Sequence, residues 1–299
     1  MPNTLAHVGV QGLVSRLAWK DVDLKWVYIG CVVPDFPWIL QRAVVAFAPS
    51  VDPFALRYYV DFQASLLGCL VLCGVIAAFA GAYWKTFLIL GTNTVLHLVL
   101  DASQIKWANG VHFLAPASWH MSNWGFFWPE SILGVVLTIL GLVVLSVNWR
   151  TSSRTRPGLV LPRGRRALAL PLLGSAYLLL PILFLAANGR ADNHSLATLS
   201  DSDRVGEYVE FDRANVLRCG DQWCIEGPEG EYLEAKDLMI SSPSTVSVRG
   251  VFVEDNAVRV TDHHVHLKWY RDGASYLALL LICMTWILSL FVRHDEQDS

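Results

Sequence analysis

Long apolar runs alternate along this chain with short polar breaks. Three runs reach the roughly 20 residues that a membrane-crossing helix needs: Asp61–Tyr83, Phe126–Val147 and Ala167–Ala187. A fourth, Ala274–Val292, lies near the C-terminus. Thr86–Asp101 is shorter and carries polar residues, and Trp26–Phe47 is broken by Pro34, Asp35 and Pro37. The segment "TLAHVGVQGLVSRLAW" admits two readings: a short helix dipping into the bilayer from the outer side, or a surface helix on the inner side. "MPNTLAHVGVQGL" lacks the basic start, uninterrupted apolar core and small-residue cleavage site of a secretory signal.

Between Asn188 and Gly273 the pattern changes period. In "TVSVRGVFV", Val246, Val248 and Gly250 fall on one face and Thr245, Ser247 and Arg249 on the other, the alternation of a half-buried strand. "VEDNAV" reads as a hairpin turn. The expected architecture is a polytopic α-helical membrane protein with an inserted extracytoplasmic all-β domain, an OB-like barrel or sandwich. Residues 1–187 form the helical membrane domain, 188–273 the β-domain, and 274–299 a last transmembrane helix with a cytoplasmic tail.

Composition agrees with lipid as the solvent. The 299 residues are 54% hydrophobic and 16% charged, against roughly 25% charged in soluble domains, and mean hydropathy is +0.40. A net charge of −3 argues against a nucleic-acid partner. Six arginines between residues 148 and 167 (Arg150, Arg154, Arg156, Arg163, Arg165 and Arg166) mark a cytoplasmic loop. That puts "KDVDLK", with Lys20 and Lys25, on the same side, returns Arg293 there, and leaves the β-domain outside. Cys219 and Cys224 flank "GDQW". A disulfide there suits an oxidising compartment, and two free thiols are the alternative. Cys31, Cys69, Cys73 and Cys283 read as small buried hydrophobes. Trp107, Trp119, Trp124 and Trp128 suit an interfacial belt.

Ionisable groups inside apolar helices are costly and mark function by default. His7, Asp35, His97 and Asp101 stand out. At about 1.5 Å per helical residue, His7 lies roughly 20 Å above Lys20, Asp35 roughly 15 Å above Lys25, and His97 and Asp101 roughly 18 and 24 Å above Lys85. Four polar groups on three segments thus share the outer half of the membrane. His97 and Asp101, four apart, share one helix face. Two histidines and two aspartates can hold one divalent ion with an open position, or two bridged by an aspartate. The plain alternative is a structural His–Asp hydrogen bond between packed helices.

"LAHVGVQGL", "CVVPDFPWIL" and "HLVLDASQIKWANGVHFLAP" resemble the membrane-bound metal-dependent hydrolases of the LexA-regulated inner-membrane type, over roughly residues 1–147. The resemblance implies His7, Asp35, His97 and Asp101 as ligands of a divalent metal, zinc first among the candidates. Two departures point to one ion rather than two. The family's P-D-x-D-H is here "PDFPW", and its His-rich element is replaced by "YYVDFQASLL". Asp61, Gln63 or Gln104 would then supply a water-held contact or hold a ligand from behind.

His112 and His120 lie in the following loop and are candidates to join the site, against a solvated interfacial position. In "TDHHVHLKW", His264 and His266 share a strand face that excludes His263. They can bind metal as neighbours or simply end a strand at the membrane surface. The leading expectation is a hydrolase of the cytoplasmic (inner) membrane acting on an ester or phosphoester, with membrane lipids as neighbours and a lipid-like or lipid-linked substrate. Asp101 or Asp35 would accept the proton of the attacking water. A non-enzymatic scaffold binding a partner through its β-domain is the alternative. An ion transporter is disfavoured by the apolar lower halves of the helices.

Overall fold

A computed structural model describes residues 3–48, 50–191 and 194–292, so Arg293 lies outside the described residues. Among the described residues, ten α-helices and five β-strands follow one another, and five helical segments are long and apolar enough to cross a membrane, or six if one bent pair counts as a span. The rows of exposed apolar side chains on these helices are what a lipid-facing surface needs. Ile132, Val136, Ile139, Val143 and Val147 make one such row.

Helix α1 (Thr4–Ala18) is capped by Asn3, whose side chain accepts from Ala6 N. Its buried residues run from Thr4 to Ser15, so it packs as a core helix of the bundle. It runs alongside α7 (Ile132–Arg154): Asn3 donates to Thr138 at one end and Arg16 meets Asn148 at the other. Their axes approach so closely because both crossing residues are glycines. A Cβ on Gly141 would lie 1.8 Å from Leu5 O, and one on Gly9 2.7 Å from Gly141 N. Small residues allow such backbone contact inside a bilayer, where no hydrophobic force drives helices together.

The broken run 26–47 forms α2 (Leu24–Val32), a single 3₁₀ turn over Val33–Asp35, and α3 (Phe36–Phe47). Proline at positions 34 and 37 sets this geometry, since each lacks a donor for a continuous ladder. The run Asp61–Tyr83 is not one straight helix. It divides into α4 (Pro53–Gln63) and α5 (Leu66–Ala77), bent by 67°. Ser65 caps α5 through Gly68 N, and a cap starts a new helix rather than extending the old one. The run 86–101 is longer than it reads, as α6 (Tyr83–Ser103). The run from Phe126 becomes helical only at Ile132 and continues to Arg154, placing Arg150 and Arg154 on a helix. Helix α8 (Arg165–Gly189) packs on α4 and α5.

After a short helix α9 (Leu196–Ser200) come β1 (Tyr208–Cys219), β2 (Gln222–Glu226), β3 (Tyr232–Lys236), β4 (Ser244–Glu254) and β5 (Ala257–Val265). The order β1-β2-β3-β5-β4 closes on itself, with β3 and β5 parallel and the other pairs antiparallel. Val209, Phe211, Ile225, Leu233, Val246, Val248, Phe252 and Val258 fill its interior, each burial worth about 1.5–3 kcal/mol for a side chain of this size. A disulfide joins Cys219 and Cys224 across the β1–β2 turn, with Cα atoms 6.0 Å apart. Helix α10 (Tyr270–Leu290) follows, starting four residues before the apolar run does.

The helical bundle has two chemically distinct ends. At one, Arg156 donates to Val292 O and Arg166 to Ala80 O. Lys25 is also there, buried rather than solvated, with Nζ on Asp23, Ser152 O and Thr155. At the other, the loop between α6 and α7 carries the sheet: Ala108 N donates to Glu210 and Asn109 to Asp212. Trp107 is buried in that loop under Arg249, whose guanidinium lies 4.0 Å from its ring. Trp128 stacks on His264. Neither tryptophan is the lipid-belt anchor that its sequence position suggests, because the sheet covers this loop.

Candidate metal centre

Three segments bring polar groups to one point near the sheet-bearing end of the bundle. His7 comes from the first turn of α1, Asp35 from the 3₁₀ turn, and His97 and Asp101 from the last turns of α6. All four are buried. His7 Nε2 is 3.3 Å from Asp101 Oδ1, and His97 Nε2 is 3.8 Å from Asp101 Oδ2 and 3.6 Å from Asp35 Oδ1. The two imidazoles stack with centroids 3.6 Å apart. His7, His97 and Asp101 each offer one ligand atom, all within 4.8 Å of one another.

Burial without partners is costly for polar atoms. His7 Nε2, His97 Nε2, Asp35 Oδ1 and Asp101 Oδ1 have no hydrogen-bond partner, and they face one another. His97 Nδ1 lies 2.7 Å from Cys31 O. A carbonyl only accepts, so Nδ1 carries a proton, and in the neutral ring Nε2 turns its lone pair to the two aspartates. Lone pair against carboxylate is repulsive unless a positive charge stands between them. Gln11 Nε2 lies 3.3 Å from His7 Nδ1, and Gln11 Oε1 has no partner. Turning that amide over lets Oε1 accept from Nδ1–H and frees His7 Nε2 as a ligand. This donor set of two imidazole nitrogens and carboxylate oxygens fits a metal ion.

Two neighbours of this cluster are not among the ligands that the resemblance implies. Lys106, buried in the loop after α6, places Nζ 3.2 Å from Asp101 Oδ2. Gln11 sits one turn after His7, a spacing visible in "HVGVQ" once His7 is suspected. Gln104 is buried beyond Asp101 with neither amide atom partnered. Gln63 is not at the site: its amide donates to Tyr177 O and meets the Tyr59 hydroxyl, bracing α4 on α8. Asp61 pairs with Arg57 at 3.2 Å and accepts from Asn188. His112 holds Trp119 O through Nδ1 and reaches Asp101 only across a small cleft that both line with Asp61. His120 is exposed, its backbone N–H donating to the Ser118 hydroxyl.

Asp101 also lines a cavity of about 340 Å³ between the bundle and the sheet. Five cations line it (Arg42, Arg57, Lys106, Arg213 and Arg271) against three carboxylates, Asp101, Asp212 and Asp272. Arg57 is fixed there by Asn109 and by the face of Trp38, 4.2 Å away. Asp212 stays ionised: burial pushes its carboxyl up, but the Asn109 amide and the charges of Arg271 and Lys106 bring it below the usual range. A cleft of about 70 Å³ between α3 and α10 shares Arg42 and Arg271 with this cavity and reaches Asp35. Compared with family models, with curated proteins and with solved structures, the chain matches none, so the likeness of residues 1–147 to membrane-bound hydrolases rests on motif residues and not on a family assignment.

Proposed function

We propose that this chain is a metal-dependent hydrolase of the cytoplasmic membrane that cleaves an ester or phosphoester of an anionic, lipid-like substrate. The observation that carries this reading is the convergence of His7 Nε2, His97 Nε2 and Asp101 Oδ1, buried and without hydrogen-bond partners, behind Asp101, which also lines a cation-lined cavity. A divalent ion held there supplies Lewis acidity and makes water a nucleophile at neutral pH. Asp35, 3.6 Å from His97, accepts the proton. Arg57 and Arg271 hold the substrate's negative charge from the cavity wall. Apolar chains leave through the cleft between α3 and α10, where Ile39 and Tyr276 open towards lipid. The sheet, which we read as OB-like from its order and its parallel β3–β5 pair, roofs the cavity.

In this reading the six-arginine loop is cytoplasmic and the sheet extracytoplasmic, at the end of the bundle opposite that loop. The Cys219–Cys224 disulfide supports an oxidising side. A reporter fused after Gly227 should report an extracytoplasmic position. A cytoplasmic signal there overturns the orientation.

A second reading follows from Lys106. With a proton on His97, the Lys106 ammonium and the imidazolium balance Asp35 and Asp101 without any ion, as in a scaffold whose β-domain binds a partner. Metal content of detergent-purified protein separates the two, wild type against the His97→Ala, Asp101→Ala double variant. Equal metal in both sinks the metal centre. Metal lost in the variant, with no hydrolysis of lipid phosphoesters or esters by the wild type, leaves the scaffold ahead.

A further inference from the structure

A second group of ligand-type side chains lies at the seam between the sheet and the helices. Glu130 directly precedes Ser131, the cap of α7. His264 and His266 project from one face at the end of β5, just before α10. One carboxylate oxygen, Glu130 Oε1, accepts from Arg213 at 3.0 Å and lies 2.9 Å from His266 Nδ1. The other, Oε2, lies 3.7 Å from His264 Nε2. Neither Oε2 nor His264 Nε2 has a hydrogen-bond partner, although both are buried atoms.

We propose that Glu130, His264 and His266 form a second, zinc-type metal site that clamps the sheet to the entrances of α7 and α10. The three ligand atoms lie within 4.8 Å of one another. Neighbouring ligands of a tetrahedral zinc stand about 3.3 Å apart, so the 3.7 Å between Glu130 Oε2 and His264 Nε2 closes with a shift of a few tenths of an ångström. Each ligand is held from behind, as metal ligands require. The His264 ring stacks on Trp128, centroids 3.8 Å apart and planes within 4°. His266 Nε2 lies 2.8 Å from the Ser247 hydroxyl. With Nε2–H donated there, Nδ1 presents its lone pair on the Glu130 side. Arg213 occupies Oε1 and leaves Oε2 for the ion.

The support is built into the sheet. Arg213 sits at a bulge where the β1–β4 register shifts between Phe211 and Ala214, with φ of 57°, and its backbone N–H donates to Ser247 Oγ. That explains why Ser247 is fully buried on a face otherwise turned outwards.

The test uses the full chain in detergent, stripped with chelator, loaded with zinc and desalted. His264→Ala and Glu130→Gln should each carry one zinc per chain fewer than the wild type. The wild-type amount in both variants overturns the clamp. His97→Ala is scored separately, so loss or survival of the first centre leaves this result intact. Cobalt gives a readout independent of stoichiometry. The His97→Ala protein should show the visible bands of tetrahedral cobalt, and His97→Ala with His264→Ala should not. Absence of those bands in His97→Ala overturns the site.

Discussion

His7 and His97 lie face to face, ring centroids 3.6 Å apart and planes within 10°, with both Nε2 atoms turned to the Asp101 carboxylate. Two imidazolium ions at that separation would repel strongly in a buried site. The pair therefore carries at most one positive charge, and the stack works best with both rings neutral and a shared cation at the Nε2 edge.

Orientation of His7 depends on Gln11, its only hydrogen-bonding side chain among the described residues. Replacing that amide with a shape-matched apolar group, Gln11→Leu, should weaken zinc binding about 10–100-fold, the usual effect of removing a group that orients a metal-bound imidazole. Competition against a chelator of known affinity measures it. Wild-type affinity in Gln11→Leu would show that the amide does not set the tautomer.

The crossing of α1 over α7 makes Gly141 critical. A methyl there would sit 1.8 Å from Leu5 O, a clash with backbone that no rotamer relieves. Gly141→Ala should cost about 1–3 kcal/mol, as overpacking does, and should shift His7 enough to release metal from the first centre. Thermal unfolding in detergent and zinc content together check it. A lower melting temperature with full zinc would separate packing from ligation.

Lys106 competes with an ion for Asp101 Oδ2, which lies 3.2 Å from its ammonium. Lys106→Gln removes a neighbouring positive charge and should tighten zinc binding by about tenfold, equivalent to about 1.4 kcal/mol. If turnover on an anionic substrate falls while zinc tightens, the ammonium serves the substrate. Unchanged zinc affinity would mean that the amine turns into the cavity when metal binds.

The Cys219–Cys224 bond closes a short loop, five residues in separation. Chain-entropy reasoning gives about 2 kcal/mol for a loop of this size. Cys219→Ser with Cys224→Ser should lower the stability of the sheet by about that amount and leave zinc at the first centre unchanged. Differential thiol labelling before and after reduction, followed by thermal unfolding, checks both parts.

How far the sequence could be read depended on the solvent of each segment. His7, Asp35, His97 and Asp101 are legible because hydrocarbon makes every polar residue conspicuous, and helical rise alone puts them at one height. The strand alternation around Val246 and Val248 is equally plain. The bend between Gln63 and Leu66 was hidden, because an apolar run looks the same whether its helix is straight or restarted by a serine cap. Lys106 and Glu130 were hidden for another reason. They sit in a loop that reads as water-exposed, and only the docking of the sheet buries them. Tertiary cover of that kind leaves no periodic trace in a single chain.

The closeness of α1 to α7 also orders assembly in time. Asn3 is held by Thr138, and Thr4 N–H by Ser275, partners 135 and 271 residues further along. The earliest ligand to leave the ribosome is thus among the last to be locked. A nascent chain ending before α7 has all four polar residues of the first centre and the Ser15–Asn93 bonds between α1 and α6, but it lacks the glycine crossing and the partners that fix the start of α1. If the first centre holds a metal as proposed, its pocket is finished only when α7 and α10 have arrived, and the half-made protein carries the ligands without the complete site.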